Sequence, residues 1–173
     1  MAQQAASCNS ARCQQQGGGG SSGCVDSAAA LSRHNAYRAR HGAPALQWSA
    51  SLANDTLAWA RNLASQGCAL RHGGNGNAGQ NLYAVRGNTA MSCVSATDAW
   101  YNEVSQYKFT RRPWTDNQPN FSNIGHFTQL HSTQLGCGAA KGANNCYVVA
   151  CHYSPAGNMV GDSSIYANVL MTQ

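Results

Sequence analysis

The sequence predicts an α+β domain with an antiparallel sheet, on two observations. Capped segments with helical spacing come first, and β-favouring runs with hairpin-like connections come last. At 173 residues the chain fits one domain that can bury a sizeable core.

Residues 1–23 are rich in Gln, Gly and Ser and bury too little apolar surface to offset their ordering entropy, so they read as a flexible arm. Residues 24–173 form the single domain. Its first helix starts at Asp26 or Ser27 and runs to about His41, with Ala28, Leu31, Asn35 and Arg38 near one stripe and Gly42 and Pro44 past its end. A second helix follows Trp48, capped by Ser49 or Ser51. Leu52, Thr56, Trp59 and Leu63 recur along it at helical spacing and Gly67 supplies its stop. Five consecutive glycines and asparagines from Gly73 to Asn77 place His72 at the mouth of a loop.

A third helix over residues 92–106 puts Ala96, Ala99, Trp100 and Glu103 on one face, which points Glu103 inward. A buried carboxylate needs an arginine, backbone amides or a metal as partner. Residues 107–123 hold two prolines and mixed polar and aromatic residues, and read as a long irregular loop of the kind that carries binding function. A short helix over residues 122–131 turns His126 inward. Strands follow at residues 134–140, at 146–153 with Tyr147, Val149, Cys151 and Tyr153 on one side, and at 164–170.

Only 10% of the residues are charged, and the formal net charge of +5 comes from scattered basic side chains. No Lys/Arg run is dense enough for nucleic acid, and mild attraction to anionic surfaces is the most the balance supports. Eight cysteines without tandem Cys-x-x-Cys pairs indicate disulfides in an oxidising compartment, which makes the protein secreted and extracellular. Three cysteines lie up to position 24 and five beyond it, so complete internal pairing requires a bridge from the arm to the domain. Residues 1–7 lack a basic start and an apolar run, and read as a mature form with an added start methionine.

His72, Glu103 and His126, with the Gly79-Gln80-Asn81-Leu82-Tyr83 segment, suggest one polar centre assembled from distant segments. The segments that carry it, in this order, resemble the CAP superfamily of cysteine-rich secretory, antigen five and plant pathogenesis-related class one proteins. Gly125-His126-Phe127-Thr128-Gln129-Leu130 resembles the first family signature, and the run from Tyr147 through Cys151-His152-Tyr153-Ser154-Pro155-Ala156-Gly157-Asn158 resembles the second. His34-Asn35 with Arg38, Gly79-Gln80-Asn81-Leu82 and Trp100-Tyr101-Asn102-Glu103 fall in the family's order. The likeness spans residues 25–171 and is nearest to fungal or plant pathogenesis-related members.

The resemblance implies a three-layer α/β/α sandwich stapled by disulfides, with a central cleft of two histidines and two acids. Those positions map to His72, Gln80, Glu103 and His126. Gln80 stands where the family has glutamate, and His131 where the first signature continues to tryptophan. Glutamine keeps an acceptor and gains donors, yet cannot act as a general base, which weakens a hydrolytic reading. His72 and His126 suit zinc or another divalent cation, with Glu103 as a direct or water-mediated third ligand. The alternatives are two structural histidines and an arginine-paired Glu103. Cys137 and Cys151 flank neighbouring strands and correspond to a family bridge, and Cys68 is expected to staple the end of the second helix to the sheet, with Cys146 or Cys93 as its partner.

The spacing of Tyr107, Phe109 and Trp114 resembles the caveolin-binding-like loop through which fungal CAP proteins bind sterols. If exposed together, the three rings would cover a rigid apolar ligand, and Lys108, Arg111 and Arg112 would meet an anionic head group. The sequence is therefore read as a secreted monomer, non-enzymatic, that binds a sterol or other small hydrophobic ligand and contacts membranes peripherally at most. A metal-dependent protease and a receptor-recognised signalling ligand are the alternatives. No Ser-His-Asp order and no His-Glu-x-x-His supports the former.

Overall fold

The structure, a computed structural model, describes residues 23–87, 92–117, 131–157 and 163. Helix α1 (Ser27–Arg40) has the expected bounds and buries Arg38 of the expected stripe, but its inward face is otherwise different. Ala30, His34, Tyr37 and Arg38 are buried, whereas Ala28 is exposed and Leu31 and Asn35 are only partly covered. The reason is that polar side chains occupy this part of the core with their hydrogen bonds satisfied. Arg38 donates from Nε to Pro44 O at 2.8 Å and from its guanidinium to Ser132 O at 3.0 Å.

Strand β1 (Gln47–Trp48) leads into α2 (Ala50–Ser65), whose start is capped by Ser49, with its side chain accepting from Leu52 N. Gly67 at φ +79° ends the helix region, as its place in the sequence predicts. Strand β2 (Gly79–Arg86) follows, then α3 (Cys93–Asn102), continued by a 3-10 turn over Glu103–Gln106. The predicted third helix thus tightens at Glu103. A single helical turn, α4 (Pro113–Asp116), interrupts the irregular loop, and β3 (Gln134–Lys141) and β4 (Cys146–Ser154) close the described chain.

The strand order is β1-β3-β4-β2, with β3 and β2 flanking β4 antiparallel and the two-residue β1 parallel to β3. Strand alternation separates two apolar clusters. Val149, Cys151 and Tyr153 face α1 and α3, meeting Ala30, Tyr37, Ala96 and Trp100. Val148 and Ala150 face α2, meeting Ala60, Leu63 and Ala64. Helices on both faces of a sheet give the α/β/α sandwich. Close approach of α2 requires Gly136 and Gly138 on β3, where a Cβ would run into the backbone of Ala53 and Leu57.

Among the described residues, three disulfides staple the layers: Cys24–Cys93, Cys68–Cys146 and Cys137–Cys151. The Cys137–Cys151 pairing is the expected one, and Cys146 rather than Cys93 is the partner of Cys68. Cys24, the first residue of the domain, joins the chain ahead of α1 to α3. Beside it, Asp26 stands at the N-cap of α1 without capping it. Its carboxylate reaches α3 instead, accepting from Cys93 N and Val94 N at 3.0 Å each and from Ser92 Oγ at 2.8 Å.

Burial pushes the Asp26 carboxyl up, but the bonds from Val94, Ser92 and Cys93 outweigh it and hold the group below the usual range. A depressed folded value stabilises above the unfolded pKa of about 3.9 and is lost as pH falls through the folded one. Asp26→Ala is therefore expected to cost about 1 kcal/mol in urea denaturation at pH 7, with the difference shrinking in acid.

The arm up to residue 22, with Cys8 and Cys13, the expected short helix at 122–131 apart from His131, and the expected strand at 164–170 lie outside the described residues. No helix among the described residues is long and apolar enough to cross a membrane.

Candidate functional site

Three of the four predicted cleft positions are described: His72, Gln80 and Glu103. His126 and its motif lie outside the described residues. Alternation along β2 sends Gln80 to the α2 side of the sheet, opposite His152 in register on β4. The Gln80 amide is buried at 6% exposure and uses both ends. Its Oε1 accepts from His72 Nδ1 at 2.9 Å and from Gly73 N at 3.2 Å. Its Nε2 donates to Gly73 O at 2.7 Å and to His152 Nε2 at 2.8 Å.

These bonds fix both imidazoles. His72 carries its proton on Nδ1 and leaves the Nε2 lone pair free among the described residues, the tautomer a metal ligand needs. His152 must be unprotonated at Nε2 to accept. Burial pushes its pKa down, with Asp55 on α2 pulling weakly the other way.

The His72 loop is held from its other side by Trp59 on α2. Gly73 at φ +156° and Gly74 at φ +63° lie on the indole, where a Cβ would come within 2.6 and 2.7 Å of ring atoms. Trp59 Nε1 donates to Arg71 O at 3.2 Å, and the Arg71 guanidinium sits 5.8 Å from the ring centroid. The glycine-rich run is thus a fitted turn clamped between an indole and an amide, with His72 at its entrance.

Glu103 sits where α3 tightens. One turn earlier, Trp100 Nε1 donates to Leu82 O at 3.0 Å, which ties this end of α3 to β2 near Gln80. Glu103 Oε2 is buried without a hydrogen-bond partner, and burial pushes its pKa up to about 7. No arginine meets it, so the ion-pair alternative does not hold among the described residues. Among those residues no three His, Cys, Asp or Glu side chains lie together as a metal site.

The other face of β2, which α1 and α3 cover, carries a second polar chain. Asn81 Nδ2 donates to Tyr153 Oη at 3.1 Å, the Tyr153 hydroxyl donates to His34 Nε2 at 2.9 Å, and His34 Nδ1 donates to Ala30 O at 2.8 Å. Desolvation lowers the His34 pKa to about 4, so the imidazole is neutral and structural.

In the aromatic loop, Tyr107 is buried at 8% exposure rather than displayed, its ring edge-on to Phe109 at 4.9 Å. Phe109 in turn stacks on the buried His41 at 6.1 Å. Trp114 is partly exposed. The three rings therefore do not form one open patch. Burial pushes the Tyr107 phenol up to about 12, and its Oη has no hydrogen-bond partner.

Sequence reading missed His152 and the clamping role of Trp59. The signal for His152 is its place in the Cys151-His152-Tyr153 motif, one residue from the cross-strand disulfide. Only the β2–β4 register reveals that it meets Gln80.

Comparison with known proteins agrees with this architecture. The sequence profile of CAP, the Cysteine-rich secretory protein family, matches residues 31–153. Pathogenesis-related protein 1B of Nicotiana tabacum is 34% identical over 139 residues, covering 77% of this chain and 77% of that protein. Repressed by EFG1 protein 1 of Candida albicans is 37% identical over 141 residues, covering 76% of this chain but only 46% of that protein. In fold, the chain is similar to the crystal structure of NaASP2 with Zn2+, with a TM-score of 0.63 at 20% identity, covering 89% of this chain and 90% of that one. The ordered motifs, the disulfide-stapled sandwich and these matches together show that the chain belongs to the CAP family of cysteine-rich secretory and pathogenesis-related proteins.

Proposed function

We propose that this chain is an extracellular, non-enzymatic CAP protein of the pathogenesis-related type whose cleft takes a divalent cation, zinc being the natural probe, through His72, Glu103 and His126. The observation that carries this reading is the buried Glu103 oxygen without a donor. A carboxylate held in that state favours its proton, and a cation replaces the proton with a stronger partner. The second support is His72, whose free Nε2 lone pair is set by Gln80. NaASP2, similar in fold, has been solved with Zn2+. Gln80 has no carboxylate to serve as a base and its amide is committed to four hydrogen bonds, which argues against a protease. The disulfides suit an oxidising compartment.

Calorimetric titration with zinc tests the site. Wild type is expected to bind, with affinity fading below the imidazole pKa of about 6.5, and His126→Ala to lose most of the heat. Equal heats would remove the cation. Glu103→Gln adds a metal-free readout. An unfolded carboxyl ionises near 4.5 while the folded one keeps its proton to about 7, so wild-type stability falls as pH rises between those values. The variant is expected to lack that fall and to be more stable than apo wild type at pH 8 by about 1 kcal/mol, allowing for solvent screening.

The aromatic loop supports a second ligand within the same reading, a sterol or other small hydrophobic molecule. Partly exposed Trp114 offers apolar surface to such a ligand. Exposed Lys108, Arg111 and Arg112 suit at most peripheral contact with a membrane by a monomer. Trp114→Ala is expected to lose sterol in a lipid-extraction assay, and undiminished extraction would dismiss this ligand.

A further inference from the structure

We infer that Asn54, on the solvent face of α2, is an N-glycosylation site. Asn54-Asp55-Thr56 is an acceptor sequence in which the middle residue is not proline. Along α2, Ala53, Thr56 and Leu57 are buried while Asn54, Ala58 and Arg61 are exposed, so the Asn54 amide points away from the sheet. Its side chain makes no hydrogen bond among the described residues, and a bulky substituent there displaces nothing. By contrast Asn35, on α1, is committed in both directions to the Leu46 backbone, at 3.0 Å through Nδ2 and 2.7 Å through Oδ1, and stands in no acceptor sequence.

The structure also orders the events. The Thr56 hydroxyl, which the transfer requires to be accessible, is wholly buried after folding, within hydrogen-bonding reach of Leu52 O and, at 3.0 Å, of Gly136 O. The folded protein is therefore a poor acceptor, and modification takes place on the chain before α2 docks on β3. In the transfer, Asn54 Nδ2 forms a bond to the anomeric carbon of an oligosaccharide carried on a polyprenyl pyrophosphate. The carbon–oxygen bond to the pyrophosphate breaks, the pyrophosphate leaves with the electron pair, and one amide proton goes to a base of the transferase. Once α2 docks, the glycan projects into solvent and shields the exposed side of the helix.

This inference rests on the extracellular reading, because the sugar donor faces the lumen of a eukaryotic secretory pathway. The test expresses the full chain behind a cleavable secretion signal in yeast. An N120Q background removes the other acceptor sequence, Asn120-Phe121-Ser122. Chains from the medium and from the lumenal fraction are treated with peptide N-glycosidase, which leaves aspartate wherever a glycan was attached. The expected result is a slow band that collapses on digestion, aspartate at position 54 by peptide mass spectrometry, and no slow band in N54Q. Unmodified Asn54 in either fraction would overturn the inference. Failure of the extracellular reading is seen separately, as folded, disulfide-bonded chain retained in the cells whatever its glycan. Adding the transferase and donor to folded, unglycosylated protein is expected to give no product, whereas the reduced, unfolded chain is modified.

Discussion

A Gly138→Val variant is expected to lose about 3 kcal/mol of stability, a fall of roughly 10 °C in Tm, or to fail to accumulate in folded form. The β3 backbone at Gly138 lies directly against α2, and a Cβ there would overlap the Leu57 backbone, within 2.5 Å of its Cα. Backbone on both sides leaves no flexible side chain to yield. The only relief is for α2 to lift from β3, which opens the cluster of Ala60, Leu63, Ala64, Val148 and Ala150. Because α2 also carries Trp59, the displacement would loosen the Gly73–Gly74 turn and with it His72. Thermal unfolding followed by circular dichroism measures the loss. Lys141→Val, on an exposed side chain of the same strand, provides the control for β-propensity alone.

Gln80→Leu is expected to cost about 2–4 kcal/mol and to weaken zinc binding by about 10–100-fold. Leucine fills the space but leaves His72 Nδ1, Gly73 N, Gly73 O and His152 Nε2 without their shared partner. The turn then has no polar anchor, and the His72 tautomer is no longer fixed. Gln80→Glu separates the two effects. A carboxylate still accepts from His72 and Gly73 N, and its charge raises the basicity of His72, so zinc binding is expected to tighten. It can donate neither to Gly73 O, which then faces a carboxylate oxygen at every pH, nor to His152, whose pKa is lowered by burial, so that imidazole must take up a proton to pair with it. Gln80→Glu is thus less stable than wild type at pH 8 and regains part of the loss as pH falls and His152 protonates. Chemical denaturation at several pH values and calorimetry with zinc read the two effects independently.

How far the sequence reveals this molecule depends on whether a residue's role is local. The ends of α2 are legible because caps and stops act within a few residues: Ser49 caps α2 and Gly67 ends its region. The burial of α1 was not, since apolar periodicity favours Leu31 over His34, yet His34 finds Ala30 O and Tyr153 Oη and is fully enclosed. Asp26 has the chemistry of a cap but serves a helix reached through the Cys24–Cys93 bridge, a tertiary relation no window of sequence contains. The sequence signals no strand between the glycine-rich run and the third helix, because the Gln80 and Asn81 side chains find their partners only across the sheet, in His152 and Tyr153. For the same reason Gln80 was legible as a departure from the family pattern but not as the shared partner of two histidines. The spacing of Tyr107 suggests display, but Phe109 and His41 continue the aromatic packing around it and it is buried.

Anomalous diffraction at the zinc edge, from crystals grown with zinc at neutral pH, decides whether the cleft takes the cation. A peak is expected about 2.0–2.1 Å from His72 Nε2, with Glu103 bound directly or through one water and His126 completing the set. Saturating zinc with no peak at His72, or a peak held only by histidines elsewhere such as His131, would contradict it.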